Sequence, residues 1–138
     1  MIVLDASVWV SSQLPDESRH RISLAWIDEQ LTAGEFITIP VLFLAEVAGS
    51  LARRTGDAAG ARRGVNRILS DPQFTVEPTD ILINLVIDSA IIASLRGVDA
   101  VYVALARHLE APLVTWDREI GRKAGHLIDV REPTSATG

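Results

Sequence analysis

Cysteine is absent from this chain of 138 residues. The protein therefore has no disulfides, no thiolate metal ligand and no cysteine nucleophile, and its composition suits the reducing cytoplasm, where we expect it to act. Lysine occurs once. The chain has 13 basic residues (Lys and Arg) and 18 acidic residues, so the net charge is −5. This balance excludes a broadly basic nucleic-acid-binding protein but leaves room for a local basic patch.

Long uncharged hydrophobic runs are also missing. The most apolar stretch, residues 81–95, contains Asn84 and Asp88 and is shorter than the roughly 18 apolar residues of a membrane span. The N-terminus has no basic segment, so we predict neither a membrane span nor a secretion signal. The composition is that of a globular protein, with 48% hydrophobic and 22% charged residues. We predict one domain over residues 1–131, followed by a frayed polar tail at 132–138.

Short apolar runs alternate with helical patterns along the chain. Strands are predicted at 2–4, 36–39, 74–77, 113–115 and 127–130, and helices at 7–14, 17–33, 41–55, 58–70, 80–95, 99–109 and 118–124. Strands that alternate with helices indicate an α/β fold, in which helices cover both faces of a mostly parallel sheet of four to five strands.

Four acidic residues map to one edge of that sheet. Asp5 and Asp117 follow the first and fourth strands, Asp99 opens the helix before the fourth strand, and Glu46 lies one to two turns into the helix after the second. Ligands bind at this carboxyl edge in open parallel sheets. The convergence of four acids there favours a shared site.

Each acid, taken alone, also has a simpler interpretation. Asp99 and Asp117 are typical helix caps, and Asp5 is typical of an Asx turn. Glu46 has Arg53 or Arg54 as a possible ion-pair partner. These interpretations explain the acids one at a time and do not explain why all four fall at one edge.

Clustered carboxylates repel one another, so a cation must offset them. With only oxygen ligands available, the hard cations Mg²⁺ and Mn²⁺ are favoured over zinc. The chemistry that suits such a site is phosphodiester hydrolysis by metal-activated water. Ser7 and Thr115 lie beside the acids in sequence and are predicted to orient ligands or water from behind them.

The motifs around the acids resemble those of PIN-domain ribonucleases, and in particular the VapC toxins of type II toxin–antitoxin pairs. The resemblance is carried by DAS at 5–7, by the glutamate in FLAEVAGSLARR, by LRGVDAVYVALAR at 95–107 and by LVTWD at 113–117. It implies a three-layer α/β/α fold, Mg²⁺- or Mn²⁺-dependent endoribonuclease activity, a VapB-like antitoxin and a homodimer. The residues that match the family's acidic positions are Asp5, Glu46, Asp99 and Asp117, and those that match its hydroxyl positions are Ser7 and Thr115.

Arginines are concentrated in two parts of the chain. Five fall between residues 53 and 67, where Asp57 is the one acid; this segment suits RNA phosphates, an acidic antitoxin segment or a solvated helix face. Arg96, Arg107 and Arg118 lie near the acids in sequence. We predict that these three bind substrate, with pairing to carboxylates as the alternative.

The segment 80–95 is apolar on nearly every side, so we predict that it is buried all round, by dimerisation or between helices of the same chain. Trp26 and Tyr102 fit apolar helical patterns and are predicted core residues, whereas Trp9 and Trp116 adjoin the predicted site and are open to either role.

Two other functions compete with the toxin. A PIN nuclease acting in rRNA processing or on flap-like DNA would use the same acids. A receiver-like α/β domain would hold Mg²⁺ at the strand ends without hydrolysis, and a non-catalytic PIN-like module would serve only to bind protein. A receiver-like domain would require paired acids after the first strand and a lysine at a late strand end, whereas Asp5 has no acidic neighbour and Lys123 lies in the last helix.

Overall fold

Strands and helices follow one another in the predicted order. The computed structural model describes residues 1–134, so the end of the predicted tail, residues 135–138, lies outside the described part. The strands are β1 (Ile2–Leu4), β2 (Ile37–Pro40), β3 (Phe74–Glu77), β4 (Leu113–Val114) and β5 (Val130–Arg131). The helices are α1 (Ala6–Gln13), α2 (His20–Thr32), α3 (Val41–Thr55), α4 (Ala58–Ser70), α5 (Ile83–Ala93), α6 (Gly97–Leu109) and α7 (Arg118–Ala124).

The five strands form one parallel sheet in the order β3-β2-β1-β4-β5. The strands read as buried apolar runs because helices cover both faces of the sheet; β1, for example, is buried at every residue. The prediction of an α/β/α domain with a mostly parallel sheet of four to five strands is confirmed.

The direction of strand addition reverses at β1. β2 and β3 lie on one side of β1, and β4 and β5 lie on the other. A crevice opens beyond the carboxyl ends of the strands at such a reversal. This topology brings the segments after β1 and β4 side by side, although they are far apart in sequence.

Some element boundaries differ from the predictions. A 3-10 turn over Asp80–Leu82 precedes α5, and α5 ends at Ala93 because Ser94 adopts a left-handed conformation with φ of 53°. α6 then begins at Gly97, so Asp99 lies in its first turn rather than at its cap. In contrast, α3 covers the predicted residues and ends where Gly56 takes a φ of 68°, a conformation that favours glycine.

The predicted burial of residues 80–95 on all sides is wrong for a single chain. α5 packs against α6 and buries the small residues Ser89 and Ala93. The opposite face leaves isoleucines in contact with solvent, with Ile87 50% and Ile91 73% exposed. Within residues 1–134, no single helix is long and apolar enough to cross a membrane; Asp80–Ala93 and Gly97–Leu109 reach that length and apolarity only together, with a bend of 113° between them.

Candidate active site

All four predicted acids line a single cleft of about 450 Å³ at the carboxyl edge of the sheet. Asp5 and Asp117 lie just beyond β1 and β4, Glu46 lies on α3, and Asp99 lies in the first turn of α6. The structure therefore brings together side chains from four separate segments. Their meeting follows from the reversal of strand order at β1, which places these segments around one crevice.

Asp5 is held by two hydroxyl groups. One carboxylate oxygen, Oδ2, accepts a hydrogen bond of 2.6 Å from Ser7 Oγ and one of 2.8 Å from Thr115 Oγ1. Thr115 Oγ1 in turn accepts a bond from the backbone N–H of Asp117 at 3.0 Å. Asp5 is only 8% exposed, so these bonds fix its orientation in a dry environment. Ser7 and Thr115 thus contact Asp5 directly.

Glu46 is positioned by Tyr102, whose hydroxyl donates a bond of 2.6 Å to Glu46 Oε1. Tyr102 is fully buried in α6, as its apolar pattern predicted. The alternative in which Glu46 pairs with Arg54 is wrong, because Arg54 forms its ion pair with Glu17. The bond between α6 and α3 was not predicted, because the apolar pattern around Tyr102 indicates a core residue and says nothing about its hydroxyl group.

Asp99 and Asp117 make different contacts. Asp99 Oδ2 accepts a hydrogen bond of 3.1 Å from Arg96 Nε. Asp117 accepts one of 2.9 Å from the backbone N–H of Glu119 and so caps α7. The capping interpretation is therefore correct for Asp117 and wrong for Asp99. Capping one helix does not remove Asp117 from the cleft, which it lines together with the other three acids.

Burial and mutual repulsion set the electrostatics of the cleft. The pKa of Asp5 is raised, chiefly by burial and further by the charge of Asp99, while the hydroxyl bonds oppose the rise. The pKa of Glu46 is also raised, first by burial and then by Asp5 and Asp99. The hydrogen bond to Asp99 raises the pKa of Arg96, which stays charged. A positive charge added to the cleft would therefore stabilise the ionised forms of Asp5 and Glu46.

The donor set fits a hard divalent cation held in an open site. Within residues 1–134, the histidine, cysteine, aspartate and glutamate side chains form no group of three or more that is arranged to hold a metal ion. Mg²⁺ does not require one, since it is usually held through one or two carboxylates and completed by water and phosphate oxygens. Carboxylates whose ionisation is disfavoured by neighbouring carboxylates are suited to that role.

The three arginines predicted to bind substrate are placed differently. Arg96 lines the cleft. Arg118 makes an exposed ion pair of 3.0 Å with Glu132. Arg107 lies in the last turn of α6, pairs with Asp88 at 3.0 Å and lines a separate cavity. Arg107 and Asp99 lie at opposite ends of α6, so their nearness in sequence does not bring Arg107 to the site.

Other arginines also line the cleft. Arg53 and Arg54 do so, which agrees with their prediction both as neighbours of Glu46 and as part of an arginine segment suited to RNA phosphates; their spacing of seven and eight residues from Glu46 places them near the same face of α3. Arg19 also lines the cleft. It lies in the connection between α1 and α2, where no periodicity indicates its direction.

Replacing Asp5 with asparagine should raise the unfolding midpoint of the metal-free protein at neutral pH. The folded pKa of Asp5 lies above its ordinary value of 3.8, so ionising Asp5 costs folding free energy. That cost is absent below pH 3.8, grows as the pH rises through the folded pKa and persists above it. Both hydroxyl bonds end on one oxygen, and the amide oxygen of asparagine can accept both.

Thermal unfolding in EDTA measures this effect. The gain of Asp5→Asn over wild type should be larger at about pH 8 than at about pH 4, because only the wild-type side chain ionises between them. Divalent cations should reduce the gain by stabilising the wild-type carboxylate. A lower midpoint than wild type at both pH values would contradict this account of Asp5.

The fold and the site together define a class of protein: a small α/β/α domain with acidic side chains gathered at the carboxyl edge of a parallel sheet. A family model for the PIN domain matches residues 2–126. The chain therefore belongs to the PIN domain family, as its motifs predicted. A comparison with curated protein sequences returns no match.

Several solved structures share this fold. VapC20 of Mycobacterium tuberculosis, described as a sarcin–ricin loop cleaving toxin, is 21% identical with a TM-score of 0.74, over 95% of this chain and 99% of that one. FitAcB of Neisseria gonorrhoeae is 18% identical with a TM-score of 0.74, over 96% and 98%. VapBC2 of Rickettsia felis, solved with a promoter DNA fragment, is 16% identical with a TM-score of 0.71, over 96% and 98%.

Proposed function

We propose that this protein is a metal-dependent endoribonuclease and the toxin of a toxin–antitoxin pair. The observation that carries the proposal is the meeting of Asp5, Glu46, Asp99 and Asp117 in one cleft. The likeness of the fold to VapC20 and VapBC2 supports the toxin role. We further propose that residues 1–131 form its single domain and that it acts in the cytoplasm.

The four acids would hold Mg²⁺ or Mn²⁺. When bound, the ion supplies activated water and stabilises charge on the phosphate and the leaving oxygen. The chain's own contribution is orientation. Ser7 and Thr115 keep Asp5 in one direction, and Tyr102 does the same for Glu46. Positions fixed in advance cost no reorganisation when the reaction takes place.

Arg96 contributes charge on the substrate side of the cleft. It carries a positive charge beside Asp99, and its side chain is 79% exposed, so it can turn toward a phosphate. Arg118 is equally exposed, at 78%, and leaves its pair with Glu132 at little cost because exposed ion pairs are weak. We propose both as contacts to RNA: Arg118 does not line the cleft itself but directly follows Asp117, which does, whereas Arg107 faces another cavity.

Incubation of the purified protein with total cellular RNA tests the nuclease. We expect discrete fragments with Mg²⁺ and with Mn²⁺, and none with EDTA. Parallel reactions with folded RNA, single-stranded RNA and DNA identify the substrate class. Cleavage of DNA alone would favour a flap-type nuclease. Binding of metal by a folded protein that cleaves nothing would favour a non-catalytic PIN module.

A protein antitoxin of the VapB type is the partner that we propose. A structure described as a toxin–antitoxin complex from Klebsiella pneumoniae shares this fold, as do FitAB and VapBC2, which were solved with DNA fragments. An antitoxin gene immediately upstream, whose co-expressed product suppresses RNA cleavage, would support this pairing. An intact nuclease with no such neighbouring gene would favour a role in RNA processing.

We also propose a homodimer. The exposed isoleucines of α5 give it a contiguous apolar face, because Ile83, Ile87 and Ile91 recur every four residues and are at least 50% exposed. Contiguous apolar patches on small proteins usually mark interaction surfaces. In a dimer with twofold symmetry, the same apolar face of α5 on a second copy of the chain would cover this face.

A further inference from the structure

Four arginines line the acidic cleft: Arg19, Arg53, Arg54 and Arg96. Arg54 pairs with Glu17, and Arg96 pairs with Asp99. Neither Arg19 nor Arg53 has a carboxylate partner in the described part of the chain. The charges of these two arginines are therefore available to an anion that enters the cleft from outside.

Arg19 differs from Arg53 in being held on an aromatic ring. Its guanidinium carbon lies 4.7 Å from the centroid of the Trp116 ring. A guanidinium over an aromatic ring makes a cation–π contact with it and still has N–H donors that point away from the ring. Arg19 is thus restrained in position and keeps donors for a further partner.

The ring that supports Arg19 is itself fixed. Trp116 Nε1 donates a hydrogen bond of 2.8 Å to Ser23 Oγ, and Ser23 is fully buried and 2.6 Å from Ser11 Oγ. The backbone N–H of Trp116 donates to Ser7 Oγ at 3.2 Å. Since Ser7 also bonds Asp5, one hydroxyl links the backbone of Trp116 to the acidic cluster.

The connection that carries Arg19 is also held at both ends. Glu17 pairs with Arg54 of α3, and its backbone N–H donates to Leu14 O at 3.0 Å. The His20 ring nitrogen Nδ1 lies 3.0 Å from Ser11 O. The backbone at Arg19 is therefore anchored to α1 and α3, so less conformational entropy is lost when Arg19 binds a ligand.

We propose that Arg19, supported by Trp116, binds a backbone phosphate of the RNA strand and so positions that strand across the four acids. This inference rests on the proposed nuclease function and names a residue that the acidic motifs do not include. A guanidinium suits the task because its forked donors match two phosphate oxygens. It also supplies attraction at a site whose carboxylates would otherwise repel RNA.

Binding measurements with Arg19→Gln test the proposal, with Arg21→Gln as the matched control. Arg21 is two residues away on the exposed side of α2 and is not among the residues that line the cleft. Both changes are made in an Asp99→Asn background, so that a labelled single-stranded oligoribonucleotide stays intact. We expect Arg19→Gln to weaken RNA binding about 10-fold, as for a charged hydrogen bond, and Arg21→Gln to leave it within about twofold.

Two further readouts separate phosphate binding from a general effect on the site. The slope of log affinity against log salt concentration should fall by about 0.7 for Arg19→Gln, the loss of one phosphate contact on a single strand. With Asp99 restored, KM should rise while kcat changes little. Trp116→Leu should weaken binding as well, and combined with Arg19→Gln it should cost less than the sum of the two.

Equal RNA binding and cleavage by Arg19→Gln and Arg21→Gln, with active wild-type protein, would overturn this inference and leave the nuclease function standing. A fall in kcat with unchanged KM and salt slope would also overturn it, because Arg19 would then act on the acids. If Arg19→Gln weakened the binding of polyglutamate, an acidic peptide, but not the binding of RNA, Arg19 would be assigned to a protein partner instead. A protein that neither binds nor cleaves RNA would overturn the proposed function itself.

Discussion

Asp99→Asn should reduce RNA cleavage by at least about 100-fold and leave the fold intact. A metal ion supplies several kcal/mol of charge stabilisation in the transition state, and each 1.36 kcal/mol corresponds to a factor of ten in rate. The side chain of Asp99 is only 14% exposed and faces the cleft. Removing its charge weakens the hold on the ion, while the amide preserves the shape of the side chain.

Asp129→Asn is the matched control for this change. Asp129 is also an aspartate paired with an arginine, Arg131, at 2.6 Å, but it precedes β5 and lines a different cavity. Its replacement should leave cleavage within about twofold, since it breaks only an exposed ion pair. Fragment yield over time measures both variants, and circular dichroism with thermal unfolding verifies that both are folded.

Asp5→Asn should match Asp99→Asn in activity while differing from it in stability, because Asp5 is the more deeply buried acid. Wild-type cleavage rates in both Asp5→Asn and Asp99→Asn would reject the four acids as the catalytic centre. Loss of activity in Asp129→Asn as well would indicate a general structural effect.

Ile87→Glu should convert the proposed dimer into a monomer. Ile87 lies in the middle of the apolar stripe of α5 and is 50% exposed in one chain, so a glutamate there is solvated in the monomer. In a twofold dimer, two carboxylates would be buried close together without a partner, at a cost of several kcal/mol. That penalty is large enough to abolish an association of moderate strength.

Sedimentation velocity or light scattering after gel filtration measures the mass. Leu69→Glu provides the control, because Leu69 is similarly exposed, at 55%, but lies on α4. Wild type and Leu69→Glu should have twice the chain mass, and Ile87→Glu the chain mass. A wild-type protein with the mass of one chain, or an Ile87→Glu protein that remains a dimer, would contradict the proposed interface.

The position of the four acids at one edge of the sheet was predictable from the sequence. Each acid lies within a few residues of a strand end or a helix start, and those are local features. Parallel strands then place their carboxyl ends at one edge, whatever their order in the sheet. The order of elements and the full length of α3 were predictable for the same reason.

The partners of the polar side chains were not predictable in this way. Tyr102 and Glu46 are 56 residues apart, and Thr115 and Asp5 are 110 apart, so no local pattern joins them. The arginines show the same limit. Arg107 is near Asp99 in sequence but pairs with Asp88 of the neighbouring helix, whereas Arg19 reaches the cleft from a connection without periodicity.

The class of fold and the acidic composition of the site follow from local patterns, since apolar periodicity, strand ends and helix stops act over short distances. Three other features became clear only from the folded chain: which hydroxyl holds which carboxylate, which arginines remain unpaired in the described residues, and that one face of α5 meets solvent. These outcomes depend on contacts between segments distant in sequence. Charged and polar groups take the nearest suitable partner in space, and the packing of α1, α3 and α6 around the sheet determines which partner that is.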